Sequence, residues 1–205
     1  MSELQNRIEG KIYDPNVIEL VDLRQKAHAL CAAYNVTPEE DEEKRESILK
    51  ELMPDAKEGL FFQGPIQLDY GWNIHVGRCV YANFNFTVLD TCPVTIGDNV
   101  YFGPNCSLYT PMHPFLPNER NLYMHENGYL TDREYGKPIV IGSNCWFGGN
   151  VTVIGGVHVG EGCVIGAGSV VTRDLPPNHL CAGNPCRPIR PITEADSIYL
   201  KKNLF

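Results

Sequence analysis

Apolar residues return at every sixth position over much of the chain. Stepping on from Ile141 gives Phe147, Val153, Val159, Ile165 and Val171, all aliphatic or aromatic. Glycine follows most of these anchors, at Gly142, Gly148, Gly160 and Gly166, and a small side chain stands four positions on, at Cys145, Val151, Val157, Cys163 and Ser169. Upstream the same beat runs through Ile96, Phe102 and Leu108, and before them through Val76, Ala82, Val88 and Val94. The register slips by two residues between Val94 and Ile96, and a turn at residues 90–93 is expected to absorb it. A period of six matches neither helix nor simple strand. It fits a short strand and a tight turn wound around a three-sided prism, in which stacked coils make the core that no single coil can bury. Anchors then point inward, small fourth-step residues fit the corners, and Gly, Asn and Asp at the turns accept positive φ.

Before the coil the pattern turns helical. Val17, Leu20, Leu23, Ala27, Leu30 and Tyr34 form a stripe after Asp14-Pro15. Thr37-Pro38-Glu39-Glu40 reads as a capping box opening an acidic helix that runs to Pro54, with its charge run on the solvated face. Thr193-Glu194-Ala195-Asp196 is expected to cap a short terminal helix. The expected organisation is an N-terminal helical segment over residues 1–58, a β-helix over 59–190 and a helical tail over 191–205. Within the coil the repeat lapses at about residues 109–138, which predicts a protruding loop. Long loops in compact domains carry function disproportionately.

Composition narrows the function. A net charge of -8 without a dense basic patch argues against nucleic acid as a partner. No apolar run is long enough to span a membrane, and the polar first residues lack the apolar stretch of a signal peptide, so a cytoplasmic protein is expected. The eight cysteines include no C-x-x-C pair and are expected to be reduced, several of them as small corner residues. Neither these cysteines nor His28, His75, His158 and His179 show metal-ligand spacing.

The loop offers a candidate base, His113, within Tyr109-Thr110-Pro111-Met112-His113-Pro114. Taken alone, a loop histidine needs no role. Its surroundings change that. Gly10-Lys11-Ile12-Tyr13-Asp14, Asn83-Phe84-Asn85-Phe86-Thr87-Val88-Leu89-Asp90, Ile96-Gly97-Asp98-Asn99, the His113-Pro114 pair, Glu134-Tyr135-Gly136-Lys137-Pro138 and Gly166-Ala167-Gly168-Ser169 run over nearly the whole chain. Together they resemble the maltose and galactoside O-acetyltransferase branch of the hexapeptide-repeat acyltransferases.

The resemblance implies a mainly β fold, a left-handed parallel β-helix. Handedness comes from the family, since periodicity is silent on it and the general preference for right-handed crossovers points the other way. It implies direct acetyl transfer from acetyl-CoA to a hydroxyl of a mono- or disaccharide, with His113 as general base and no metal. Asp14, Asp69, Asn83, Asp90 and Glu134 match acceptor-side positions. Asp90 has the alternative of holding a turn, Asn83 and Asn85 that of a corner asparagine ladder, and Glu134 that of orienting the imidazole. Trp146, Gly148, Gly149, Ala167, Thr172 and Arg173 match cofactor contacts, and Arg187 and Arg190 are placed to meet CoA phosphates. Some relatives carry serine at the position of Gly149, so no side-chain oxyanion donor is implied there. Residues 122–133 depart from shorter relatives, and Tyr123, His125, Glu126 and Tyr129 either extend the acceptor wall or form a loop without a role. The family arrangement also implies a homotrimer with active sites between subunits. The alternatives are an antibiotic acetyltransferase, a non-enzymatic assembly protein, and a β-helix carbonic anhydrase, which needs three converging histidines.

Overall fold

The computed structural model describes residues 2–204. Three sheets form the sides of a prism, of seven, five and four strands, all parallel except the last strand of the seven-stranded one. Phe61, Tyr81, Tyr101, Trp146 and Val164 stand on successive rungs of the seven-stranded side. Thr87, Ser107, Thr152 and Val170 do so on the five-stranded side. The expected anchors all face inward. Ile141, Phe147, Val153, Val159, Ile165 and Val171 are each at most 1% exposed. The two-residue slip is taken up within a strand and not at residues 90–93. Val94 and Ile96 both point inward, with exposed Thr95 between them, and Ile74 and Val76 do the same one coil earlier.

The turn chemistry divides in two. The third residue after an anchor adopts the left-handed conformation, at Asn85, Asn99, Asn105, Asn144 and Asn150, with φ from 55° to 61°. Asparagine accepts this region at low cost. These side chains also pair between coils, Asn85 Nδ2 donating to Asn105 Oδ1 at 2.9 Å and Asn99 Nδ2 to Asn144 Oδ1 at 3.3 Å. The glycine directly after an anchor serves another purpose. A Cβ on Gly148 would stand 2.7 Å from the Ala167 amide nitrogen of the next coil. That position needs glycine for stacking, not for φ.

Helices close the N-terminal end. α1 (Glu3–Ile8) was not foreseen by the sequence pattern, whereas α2 (Ile18–Val36) carries the expected stripe. α3 (Glu42–Leu52) starts later than the expected capping box. Thr37 cannot cap it, because its hydroxyl donates to the Ala33 carbonyl at 2.7 Å and closes α2, and Asp41 accepts the Lys44 amide instead. Tyr34, Leu49, Leu52 and Met53 plug the prism. Asn35 completes the ladder of the first strand edge, accepting from the Ile66 amide at 2.7 Å and donating to the Ile66 carbonyl at 2.9 Å. A covered edge cannot recruit a foreign strand. At the other end, Arg187–Pro191 folds back antiparallel on His179–Ala182. Thr193 and Asp196 form the expected capping box, but around 3-10 turns in place of an α-helix. Among the described residues no helix is long and apolar enough to cross a membrane.

Candidate active site

The coil is interrupted after Ser107–Tyr109, and the chain leaves and returns as a two-stranded ribbon. Pro111–Met112 pairs antiparallel with Tyr135–Gly136, Met112 opposite Tyr135. That register sets His113 opposite Glu134. The crossing is tight, since a Cβ on Gly136 would meet Cys92 Sγ at 2.6 Å. The N-terminal segment adds one antiparallel bridge to the ribbon, at Tyr13. Tyr13 and Glu134 exchange backbone hydrogen bonds, at 2.9 and 3.2 Å.

Each nitrogen of the His113 ring faces a carboxylate. Asp132 Oδ2 lies 3.3 Å from Nδ1 and Glu134 Oε1 lies 3.9 Å from Nε2. The ring is 44% exposed, the carboxylates 19% and 21%. Ligand atoms of the three residues lie within 4.8 Å of one another. The carboxylates address opposite ring nitrogens, an arrangement that suits a held proton better than a shared ion. The buried Tyr13 hydroxyl donates to Glu134 Oε2. Burial raises the Glu134 carboxyl above its ordinary value, against the lowering effects of Tyr13 and His113.

The other acceptor-side candidates separate. Asp69 is three-quarters shielded and lies 3.6 Å from His28 Nε2, and burial raises its carboxyl. Asn83 is partly exposed, and its Oδ1 accepts the Phe84 amide at 2.8 Å. Asn85 stands in the corner ladder described above. Asp90 offers no surface to an acceptor. It is 0% exposed, its Oδ1 accepts the Tyr70 amide at 2.9 Å, and burial pushes its carboxyl up to about 7. Asp14 is engaged by the loop, as its oxygens accept the hydroxyls of Thr131 and, at 2.7 Å, Tyr129.

On the cofactor side, Trp146 is 56% exposed on the seven-stranded face. It continues an outward aromatic column of Phe61, Tyr81 and Tyr101, in which Phe61 and Tyr81 stack at 6.0 Å. Gly148 and Gly149 follow Trp146-Phe147 at the corner, while Ala167, Thr172 and Arg173 are exposed on the next coil. Arg187 is half-buried, donating to the Cys186 carbonyl at 2.7 Å. Arg190 is engaged within its own tail. Its guanidinium is held in two hydrogen bonds by Asp196, at 2.6 and 2.8 Å, so a phosphate there would have to compete with that carboxylate. His113 follows the strand of the ribbon that leaves the five-stranded side, and Trp146 lies on the seven-stranded side.

Comparison with known proteins matches this architecture. A family profile described as maltose acetyltransferase hexapeptide capping motif covers residues 7–57, and one described as hexapeptide repeat of succinyl-transferase covers 138–173. Galactoside O-acetyltransferase of Escherichia coli is 41% identical over 194 residues, 95% of this chain and 91% of that protein. The chain belongs to the maltose and galactoside O-acetyltransferase family. Its fold is the left-handed hexapeptide β-helix of that family. The crystal structure of a maltose O-acetyltransferase from Clostridium difficile matches with a TM-score of 0.84 at 41% identity, over 95% of this chain and 99% of that one. A galactoside acetyltransferase in complex with coenzyme A matches with a TM-score of 0.85 at 39% identity, over 96% and 94%.

Two features of this acetyltransferase escaped the sequence pattern. Asp132 carries no local signal, being one acidic residue in an irregular stretch. The aromatic column was detectable, because Phe61, Tyr81 and Tyr101 recur at the coil spacing, each just before an inward residue.

Proposed function

We propose that the chain transfers the acetyl group of acetyl-CoA to a hydroxyl of a mono- or disaccharide, with His113 as general base. The observation that carries this reading is the His113 ring set between two shielded carboxylates at an open loop, in a chain whose relatives include maltose and galactoside acetyltransferases. His113 Nε2 takes the proton from the acceptor hydroxyl, whose oxygen attacks the thioester carbonyl carbon. The tetrahedral oxyanion collapses, the carbon–sulfur bond breaks, and the imidazolium returns the proton to the departing thiolate. A thioester is already activated, so the step needs no covalent intermediate.

Glu134, Asp69 and Asn83 are the acceptor contacts of this reading. On the donor side, Trp146 flanks the pantetheine arm and a backbone N–H at Gly148-Gly149 faces the oxyanion. Ala167, Thr172 and Arg173 extend the donor path, and Arg187 meets phosphate. The aromatic column fits cover by a neighbouring subunit, and a homotrimer would bring Trp146 of one chain to His113 of the next. The test is free-thiol release from acetyl-CoA with maltose, glucose, galactosides and chloramphenicol. Sugar-dependent release is expected. Release with chloramphenicol alone would replace this reading with antibiotic acetylation.

A further inference from the structure

We propose that Asp132 is a positioning residue for His113, delivered to the ring by the hairpin formed at residues 123–131. The inference rests on His113 being the base. Asp132 Oδ2 faces Nδ1 at 3.3 Å, while Glu134 approaches only Nε2. A neutral imidazole carries one N–H, and the nitrogen that donates is chosen by its acceptor. With its N–H directed to Asp132, the ring keeps its lone pair on Nε2, the nitrogen open to an acceptor hydroxyl. Once Nε2 has taken the hydroxyl proton, the Asp132 carboxylate offsets the charge of the imidazolium until that proton passes to the CoA thiolate.

Asp132 is held in place by the segment before it. Tyr123–Met124 pairs antiparallel with Leu130–Thr131, and the Arg133 guanidinium lies 4.5 Å above the Tyr123 ring. Thr131 is 0% exposed and donates to Asp14 Oδ1, while the Tyr129 hydroxyl donates to Asp14 Oδ2. Asn16 Nδ2 adds a bond to Thr131 Oγ1 at 3.2 Å. Burial works against the charge on Asp14, but the bonds from Thr131, the Asn16 amide and Tyr129 outweigh it, and its carboxyl falls below the ordinary value. Asp14 therefore acts as an ionised clamp that fixes the residue adjoining Asp132. Glu134 cannot substitute for Asp132, because it is bound to Tyr13 on the other side of the ring and burial disfavours its charge. The titratable groups around His113 are thus Asp132 and Glu134 on the returning strand and, through Glu134, Tyr13 and the more distant Asp69.

The test compares wild type, Asp132→Asn, Asp132→Glu, Asp14→Asn and His113→Ala in steady-state thiol release, with kcat and KM for acetyl-CoA read separately and a sugar acceptor present. Asp132→Asn is expected to lower kcat by about ten- to a hundredfold, less than the roughly 10²–10⁴-fold loss of a general base. KM for acetyl-CoA should hold. Asp132→Glu should recover part of kcat, and Asp14→Asn should lower kcat as Asp132→Asn does, to a smaller extent and again with KM for acetyl-CoA held. If Asp132→Asn does not fold, the last two variants carry the test. An unchanged kcat in the Asp132 variants, with His113→Ala inactive, would overturn the role of Asp132 and leave the base intact. A fully active His113→Ala would remove the base and with it the role of Asp132.

Discussion

Asp90 shows how a single residue can be conspicuous in a motif and serve the scaffold. The sequence places it at the end of a strand among acceptor-side residues, but α1 covers it. Arg7, also 0% exposed, lies over the Tyr70 ring at 3.9 Å and donates to the Asp90 and Thr91 carbonyls at 3.2 and 2.9 Å. Among the described residues Asp90 Oδ2 has no hydrogen-bond partner. Burial raises the Asp90 carboxyl from 3.8 to about 7, with the Tyr70 amide and Arg7 pulling the other way. A group raised on folding contributes its stability below the unfolded value and loses it as pH rises through the folded one. Stability from this site should therefore decline between about pH 4 and about pH 7, by on the order of a few kcal/mol. Asp90→Asn keeps an acceptor for the Tyr70 amide and should flatten that slope in denaturant unfolding at several pH values. An identical slope in the variant would show that Asp90 is not the titrating group. None of this was legible locally, because the covering residue lies 83 positions away in a helix without a strong sequence pattern.

At the scale of elements, the coil was legible because its signal is local and repeated. Every anchor that the six-residue period marked is buried, and the small residues at Cys145, Val151, Cys163 and Ser169 sit at inward corners. The finer division of turn roles was not legible. Glycine and asparagine both suit positive φ, and only stacking shows that glycine after the anchor is required by the next coil's backbone. The inner column is continuous, with Phe102 between Phe86 and Phe147 at centroid distances of 4.7 and 4.8 Å. Ala82 is small for an anchor, and Phe86 at the following corner is correspondingly large. Phe102→Ala should cost about 3–5 kcal/mol in denaturant unfolding, because rigid coils on both sides limit collapse of the cavity. A cost below about 1 kcal/mol would mean that the coils close up freely and that the column does not set the core. The loop could be foreseen as an interruption of the repeat, but its ribbon and hairpin could not. Their partners, Tyr13 and Asp14, lie more than a hundred residues upstream.

Across the whole molecule, the solenoid keeps chemistry off its interior. The prism holds position while its corners, loop and outward aromatic column stay at the surface. His113 lies by the ribbon that leaves the five-stranded side and Trp146 on the seven-stranded side, and the proposed trimer is the arrangement that would join the two. Resemblance supplied most of the candidate residues: the structure brings Glu134 to the His113 ring, sets Asp69 beside His28, engages Asp14 in the loop and buries Asp90. The central claim is that His113 takes the proton of a sugar hydroxyl. The direct measurement is thiol release from acetyl-CoA with a responsive sugar, for wild type and His113→Ala, with acetyl-CoA binding measured on both. The account predicts a rate lower by roughly 10²–10⁴-fold in the variant with donor binding retained. Equal release by both proteins would contradict it.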